Sequence, residues 1–416
     1  MTLIVILLLL IFLGLPIGMC FGLAGILYLT GTGSNAGSLM AQASFGGIDS
    51  FTILSLPFFM FAGDIMRYGG VSEKLVNFAK RCFRNSISAL GNITVLACAF
   101  FGAVSGSSAA SVYAIGGILV PEMKNHHYKP EYATALASAA GFLGILIPPS
   151  VPAVIYCCAA GVSVGKVFLA IIGPGVLTTI AFIILNRVLI KKNYDYEAAK
   201  KLEEAQQYAT EKSFFRAFIE ALPAFLMPVI ILGGIYSGIF TATEASAVAI
   251  IYGLVVSMFV YKKIGVKDIM PIAKESALTA AKILLIMATA TFFGRVMTLL
   301  SLPQTIATAI TGISSNKIII LLLINVVLLI LGMLMETGAA ILLVTPIIYP
   351  IAKAVGVDPV HFGVIMTFNL AVGLITPPMA LNLFVGSQVG KLPIAKIIPP
   401  VIPYLIVSLV ILVLIT

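Results

Sequence analysis

The stretch from 102 to 187 recurs 229 positions further along the chain. Pro121 matches Pro350, Pro130 matches Pro359, the pair Pro148-Pro149 matches Pro377-Pro378, and Pro174 matches Pro403. Gly144 and Gly161 match Gly373 and Gly390 in the same register. Five of the six prolines between 102 and 187 recur without a gap, where a chain with 21 prolines in 416 residues would give fewer than one by chance. The chain must therefore build one arrangement of breaks and turns twice.

The solvent for that arrangement follows from composition. Hydrophobic residues make up 60% of the chain and charged residues 10%, with a mean hydropathy of +1.12. An ordinary soluble domain carries about 25% charge, whereas apolar helices of roughly 20 residues span a bilayer. The length allows about a dozen such crossings. No Lys or Arg precedes the apolar run 3–30 and no small-residue cleavage site follows it, so it reads as a first span rather than a signal peptide. Further spans are expected at 50–67, 130–160, 165–190, 217–237, 243–262, 272–299, 359–388 and 393–415. The stretches 71–84 and 302–313 are amphipathic and read as interfacial helices. The five cysteines show no metal-ligand spacing, and the adjacent Cys157 and Cys158 read as packing residues.

The net charge of +9 points to nucleic acid only if its placement is ignored. Arg67, Lys74, Lys80, Arg81 and Arg84 form one basic cluster, Arg187 through Arg216 a second, and Lys262, Lys263, Lys267 and Lys274 a third. The intervening loops at 31–48 and 237–243 carry no charge. That alternation is the positive-inside pattern of a multi-pass protein.

Two apolar stretches are interrupted at their centres. Ser105-Gly106-Ser107-Ser108 divides 88–121, and Met335-Glu336-Thr337-Gly338 divides 317–350. Arms of about 15 residues are short for a crossing, so both read as re-entrant hairpins with polar tips. Such tips are tolerated only where protein or a wet cavity surrounds them. Five crossings lie between the hairpins, an odd number, so the hairpins enter from opposite faces and the repeats are inverted. Inverted repeats with broken helices are a mark of secondary transporters, whose sites lie near the midplane.

The breaks are Gly144-Ile145-Leu146-Ile147-Pro148-Pro149-Ser150 and Gly373-Leu374-Ile375-Thr376-Pro377-Pro378. Adjacent prolines remove two N–H donors and free the carbonyls opposite them. A freed carbonyl beside hydroxyls is an all-oxygen cage of the kind hard cations take. One sodium site is accordingly expected at Ser105, Gly106, Ser107, Ser108, Gly144, Ile147 and Pro149. A second is expected at Glu336, Thr337, Gly338, Gly373, Thr376 and Pro378. An anionic substrate between tips and breaks would meet Ser108, Ser150, Arg295, Thr337 and Asn382, with helix N-termini pointing N–H groups at it. Glu336 is costly at that depth without a partner. Glu275 and Lys282 share a face of 272–299 as a polar seam, and Thr241 with Glu244 forms a capping box. The serine tip could also be small-residue packing. No His or Lys stands near it to act as a base, which removes an intramembrane hydrolase and leaves a chain that is not an enzyme. No Walker-type phosphate loop is present.

At these motifs the chain resembles a known family. Phe101-Gly-Ala-Val-Ser-Gly-Ser-Ser-Ala-Ala-Ser-Val-Tyr-Ala-Ile-Gly116, followed by the breaks at Gly144–Pro149 and Gly373–Pro378, is similar to the large membrane (M) subunit of tripartite ATP-independent periplasmic (TRAP) transporters. The resemblance covers essentially the whole chain. It implies sodium-coupled uptake across the bacterial inner membrane by an elevator mechanism. It also implies a periplasmic substrate-binding protein (P) and a small four-helix membrane subunit (Q). Because the chain opens at its first span, the small subunit is expected as a separate chain among the membrane lipids. The serine-tip wording is most similar to sialic-acid members, although C4-dicarboxylate members share much of it.

The expectation is thus an all-α polytopic membrane protein. It is an inverted-repeat, elevator-type secondary transporter with two re-entrant hairpins and two broken helices, with Na+ as coupling ion and no nucleic acid as partner. A first half at 1–190 holds hairpin 88–121 and broken helix 130–160. A cytoplasmic connector occupies 191–216. A second half at 217–416 holds hairpin 317–350 and broken helix 359–388. The hairpins and broken helices would form a mobile domain on a scaffold of 3–30, 50–67, 165–190, 217–237, 243–262 and 272–299, with 393–415 open between the two. An ion channel would share these elements but needs a continuous pore.

Overall fold

The structure, a computed structural model, describes residues 2–32, 36–82, 87–195, 214–302, 305, 308 and 316–416. Among them every regular element is helical, and an isolated bridge joins Tyr128 to Tyr194. Among the described residues seven helices are long and apolar enough to cross a membrane. Leu8, Phe12, Leu169, Ile184 and Leu414 stand exposed on the outer surface, as lipid-facing positions do. The interfacial stretch 302–313 and the connector 191–216 lie largely outside the described residues.

The first half begins with α1 (Thr2–Phe12), α2 (Ile17–Gly31), α3 (Ala36–Ile48) and α4 (Ser55–Tyr68). Two expectations are corrected here. The run 3–30 is not one span, because the first helix ends at Phe12, Gly14 adopts a left-handed φ of 78° and Pro16 caps the start of a second helix. Residues 31–48 are not a loop, since α3 occupies most of them and meets the following helix at a bend of 62°. The Gly, Ser and Ala content of α3 hides it from hydropathy. It crosses α13 where Gly47 lies against Thr291.

Next come α5 (Val71–Cys82), hairpin arms α6 (Ala89–Ser105) and α7 (Ser108–Asn125), the broken pair α8 (Pro130–Gly141) and α9 (Val151–Ala160), and α10 (Val164–Leu189). The second half runs through α11 (Phe214–Tyr236), α12 (Ala242–Val255) and the 34-residue α13 (Val266–Leu299). Its hairpin is α14 (Lys317–Leu334) with α15 (Thr337–Ala354), its broken pair α16 (Pro359–Gly373) with α17 (Leu381–Gly390), and α18 (Ile394–Ile415) closes the chain. The hairpin arms are longer than expected: α14 and α15 have 18 residues each. The α14 arm nonetheless lies against its break at Gly373, halfway along the broken pair. Either way a hairpin returns to its starting face, so the count of five crossings between hairpins stands.

The repeat is visible in the coordinates and carries one slip. α7 and α15 start at 108 and 337, and α8 and α16 at 130 and 359, offsets of 229. After the proline pairs, both cis, the offset becomes 230. α9 starts at 151 and α17 at 381, and the left-handed caps are Gly161 and Lys391. Ser150 alone leads from the prolines into α9, whereas Met379 and Ala380 lead into α17. The matches of Gly161 with Gly390 and Pro174 with Pro403 are therefore one residue out of structural register.

Helix packing sorts the helices into two groups. On one side α13 packs along α2, α3 and α4, and α12 along α4 and α11. Their seam is polar near the basic ends. Ser276 donates to Asp64 at 2.6 Å, Arg67 pairs with Asp64 at 3.2 Å and Glu275 at 2.9 Å, and Tyr68 donates to Glu275 at 2.7 Å. Glu275 thus turns to α4 rather than to Lys282, and Asp64, which the sequence left without a role, anchors the seam. Thr241 and Glu244 form the expected capping box. On the other side the hairpins and broken pairs hold α10 and α18. The Asn186 amide on α10 donates to Asn92 at 2.8 Å and to the Ser88 carbonyl at 3.0 Å. It also accepts from Tyr132 at 2.9 Å, and Tyr132 meets Tyr404 of α18 at 2.8 Å. The amphipathic α5 lies across α6 and α11 with Val71, Leu75, Val76 and Ala79 buried.

Candidate functional site

The first tip forms because α6 ends at Gly106, whose φ of 60° makes the left-handed cap. Ser107 starts α7, its hydroxyl accepting from the Ala110 N–H at 3.4 Å. The Ser107 N–H donates to Ser105 Oγ at 3.4 Å, and Ser111, one turn on, donates to the Ser107 carbonyl at 2.8 Å. The first break lies directly against this tip. A Cβ on Gly144 would sit 2.6 Å from the Ser107 carbonyl oxygen, and one on Gly106 would sit 2.8 Å from that of Pro149. The Val151 N–H reaches the Gly106 carbonyl at 3.4 Å. Ser105, Gly106, Ser107, Gly144 and Pro149 are thereby brought together, with carbonyls from both strands of the contact and two hydroxyls between them. The set holds oxygen donors and no acid, which fits a monovalent hard cation. Ile147 turns away and packs on Gly175 of α10.

Ser108 faces the opposite copy. Its hydroxyl lies 2.9 Å from Asn382 Oδ1 and 3.1 Å from the Gly141 carbonyl, while Asn382 donates to the Ser138 carbonyl at 3.1 Å. Asn382 is fully buried. Both ends of its amide are occupied, so it ties hairpin one to broken helix two. Ser150 caps α9, accepting from Ala153 at 3.4 Å and donating to the Ile145 carbonyl at 2.6 Å.

The second tip repeats the plan with different chemistry. Glu336 holds the place of Ser107 and caps α15, accepting from the Ala339 N–H at 3.1 Å. The expected partner of this intramembrane charge is thus the helix N-terminus itself, where a carboxylate is favoured. A Cβ on Gly373 would meet Gly332 Cα at 2.6 Å, so tip arm and break again touch backbone to backbone. Thr376 donates to the Val372 carbonyl at 2.8 Å. Thr337 is buried. Gly338 leaves room for Ile155 of α9 to close over the tip. The two sites differ in enclosure: Pro149 is buried, whereas Pro378 and Glu336 are exposed.

The first hairpin meets its break through its tip and the second through its first arm at Gly332, and each meets the other copy through its second arm. α7 packs along α17, and α15 along α9. The sequence missed Ser111, Ser138 and Gly141 here. Ser111 repeats Ser107 at helical spacing, but Ser138 and Gly141 lie in an alanine-rich stretch with no distinguishing pattern. Arg295 stands apart from these residues. It lines a cavity of about 520 Å³ whose α15 wall runs from Leu342 to Pro350, between about 8 and 20 Å along the helix from Thr337.

With this geometry in place the chain can be compared with known proteins. The family described as tripartite ATP-independent periplasmic transporter, DctM component, matches residues 4–416. The isethionate TRAP transporter permease protein DctMQ of Oleidesulfovibrio alaskensis is 41% identical over 97% of this chain, which spans 62% of that protein. The C4-dicarboxylate large permease DctM of Pseudomonas aeruginosa is 39% identical over 95% of the chain and 91% of its own length. The sialic acid large permease SiaM of Vibrio cholerae is 38% identical over the same shares. Among solved structures the Alcanivorax borkumensis YdaH transporter aligns with a TM-score of 0.62 at 15% identity, covering 89% of this chain and 86% of that one. That likeness is one of fold.

Proposed function

Because this chain belongs to the DctM-component family of tripartite ATP-independent periplasmic transporters, a multi-pass large permease of the bacterial inner membrane, we propose that it carries a small organic anion inward, driven by sodium. The observation that carries this reading is the pairing of each hairpin with its break. The first pairing offers carbonyl and hydroxyl oxygens with no acid among them, and the second hairpin carries a capped carboxylate at its tip. Sodium at Ser105, Gly106, Ser107, Gly144 and Pro149 satisfies carbonyls that the broken helix frees.

The hairpins, both broken pairs, α10 and α18 move together in this proposal. Assigning 165–190 to the mobile body departs from the sequence expectation, and the buried Asn186–Asn92–Tyr132–Tyr404 network supports the change, since it would have to be torn if α10 stayed behind. The scaffold is then α1–α4 with α11–α13. Within the substrate class the serine tip favours a sialic acid. C4-dicarboxylates and isethionate are named for relatives at 39% and 41% identity against 38% for the sialic acid relative, and competition among the three in uptake decides between them. A periplasmic binding protein and a small membrane subunit complete the transporter. The share of the DctMQ relative that lies beyond this chain supports the second partner.

The test is the sodium concentration giving half-maximal uptake by the assembled transporter. Ser107→Ala raises it severalfold, and Ser107→Thr, which keeps an oxygen at the cap, leaves it near the parent value. An unchanged sodium requirement in Ser107→Ala removes the first site. A flux that does not saturate with substrate favours a channel instead.

A further inference from the structure

We propose a second anion site, distinct from the tips, in the cavity that Arg295 lines between α13, the α3–α4 bend and the hairpin arm α15. At about 520 Å³ it has the size of a small-molecule site, with mostly apolar walls and a few convergent polar groups. Arg295 is the charged residue on those walls, and no acid lines them; Asp49, beside the lining residue Ser50, is not among them. The guanidinium is exposed and has no ion pair or hydrogen bond among the described residues.

The hydroxyls around it divide into spent and free donors. Thr291, Thr298 and Thr345 donate to the Met287, Gly294 and Ile341 carbonyls at 2.9, 2.8 and 2.6 Å. Ser50 and Tyr349 donate to nothing among the described residues. Three residues with unspent donors, one of them cationic and forked, therefore line a single cavity. The ligand that satisfies such a set is an oxyanion, a carboxylate, sulfonate or phosphate. Basic residues mark the start of α13 as cytoplasmic, so Arg295, near its other end, sits on the periplasmic side. One wall belongs to the proposed scaffold and the other to the proposed mobile body. An anion held there waits above the second tip, so the site serves as a vestibule for the transported anion. That role rests on the permease reading; the binding does not.

Native Cys158 also lines the cavity and is half-buried, which makes it a reporter of the potential inside. In a protein whose other four cysteines are replaced by alanine, purified in zwitterionic nanodiscs, Cys158 is titrated with two thiosulfonates of similar size. One carries a sulfonate, the other a trimethylammonium. Relative to a free thiol, the anionic reagent is expected to react faster than the cationic one by on the order of tenfold. Arg295→Gln brings the ratio near parity and Arg295→Lys keeps it. A Ser50→Cys reporter in a Cys158→Ala background gives the same ordering from the opposite wall. Parity in the parent, an unchanged preference in Arg295→Gln, or no reaction at either reporter overturns the proposal. A lipid phosphate is the competing source of the same chemistry. If phosphatidylglycerol nanodiscs abolish the preference, the site holds a headgroup and the vestibule is refuted; an equal preference in both supports it. The measurement uses neither a sodium gradient nor a transported substrate, so its failure is separate from failure of uptake.

Discussion

At the scale of single residues, the site depends on two glycines that have no room for a methyl group. Gly144 lies against the Ser111 hydroxyl and the Ser107 carbonyl, and Gly373 against the backbone of Gly332; in both cases backbone that cannot turn away stands within 2.6 Å of the added carbon. Gly144→Ala and Gly373→Ala are each expected to cost about 1–3 kcal/mol through overpacking and to abolish uptake by parting hairpin from break. Thermal unfolding in detergent measures the first effect and proteoliposome uptake the second; full uptake in both variants means that the tips do not work as described. Gly144 and the serine tip were legible because an unusual residue stood at a fixed distance from another. Asn382 was legible as a polar residue in an apolar helix, but not as the strut between Ser108 and Ser138. Its partners are 274 and 244 residues away in sequence, and no local pattern encodes such a pairing. Glu336 read as a lone charge because a cap is recognised only once the helix start is known.

At the scale of elements, orientation is the checkable property. The basic end of α10 and the loop between α11 and α12 should lie on opposite faces. In a cysteine-free background, an impermeant thiol reagent applied to intact cells is expected to modify Ser237→Cys and to leave Lys191→Cys unmodified until the cells are opened. Both positions are exposed; modification of both from outside contradicts the inverted repeat. Long helices such as α10 and α13 announced themselves through unbroken apolar runs. α3 did not, because a helix buried by small residues against a neighbour carries little hydropathy. The break between α1 and α2 was hidden for the opposite reason: Gly14 and Pro16 are two residues in a run otherwise apolar enough to cross. The slip from 229 to 230 was invisible because Gly161 and Pro174 find matches at the wrong register. The extra residue lies in the linker before α17, so each α17 residue, Asn382 included, stands one position, or about 100° around the helix, from where an offset of 229 would place it.

At the scale of the whole molecule, the chain presents lipid-facing helices, and its described residues fold into no separate soluble unit that would capture dilute substrate. Reconstituted alone with a sodium gradient, it is expected to show no uptake above empty liposomes. Activity should appear when both a small membrane subunit and a substrate-loaded binding protein are supplied. Robust sodium-driven uptake by this chain by itself refutes that dependence.

The reciprocal packing of α7 on α17 and α15 on α9 has a historical consequence. Neither half completes its own surface: each leaves a hairpin arm and a half-helix to be covered by a copy lying upside down. A gene for one half alone could have made a stable product only if that product entered the membrane both ways up and paired with its own inverse. Fusion of two such genes then fixed each copy in one orientation. It also allowed the two tips to differ, Ser107 in one and Glu336 in the other, a divergence closed to a protein whose two halves shared a single gene.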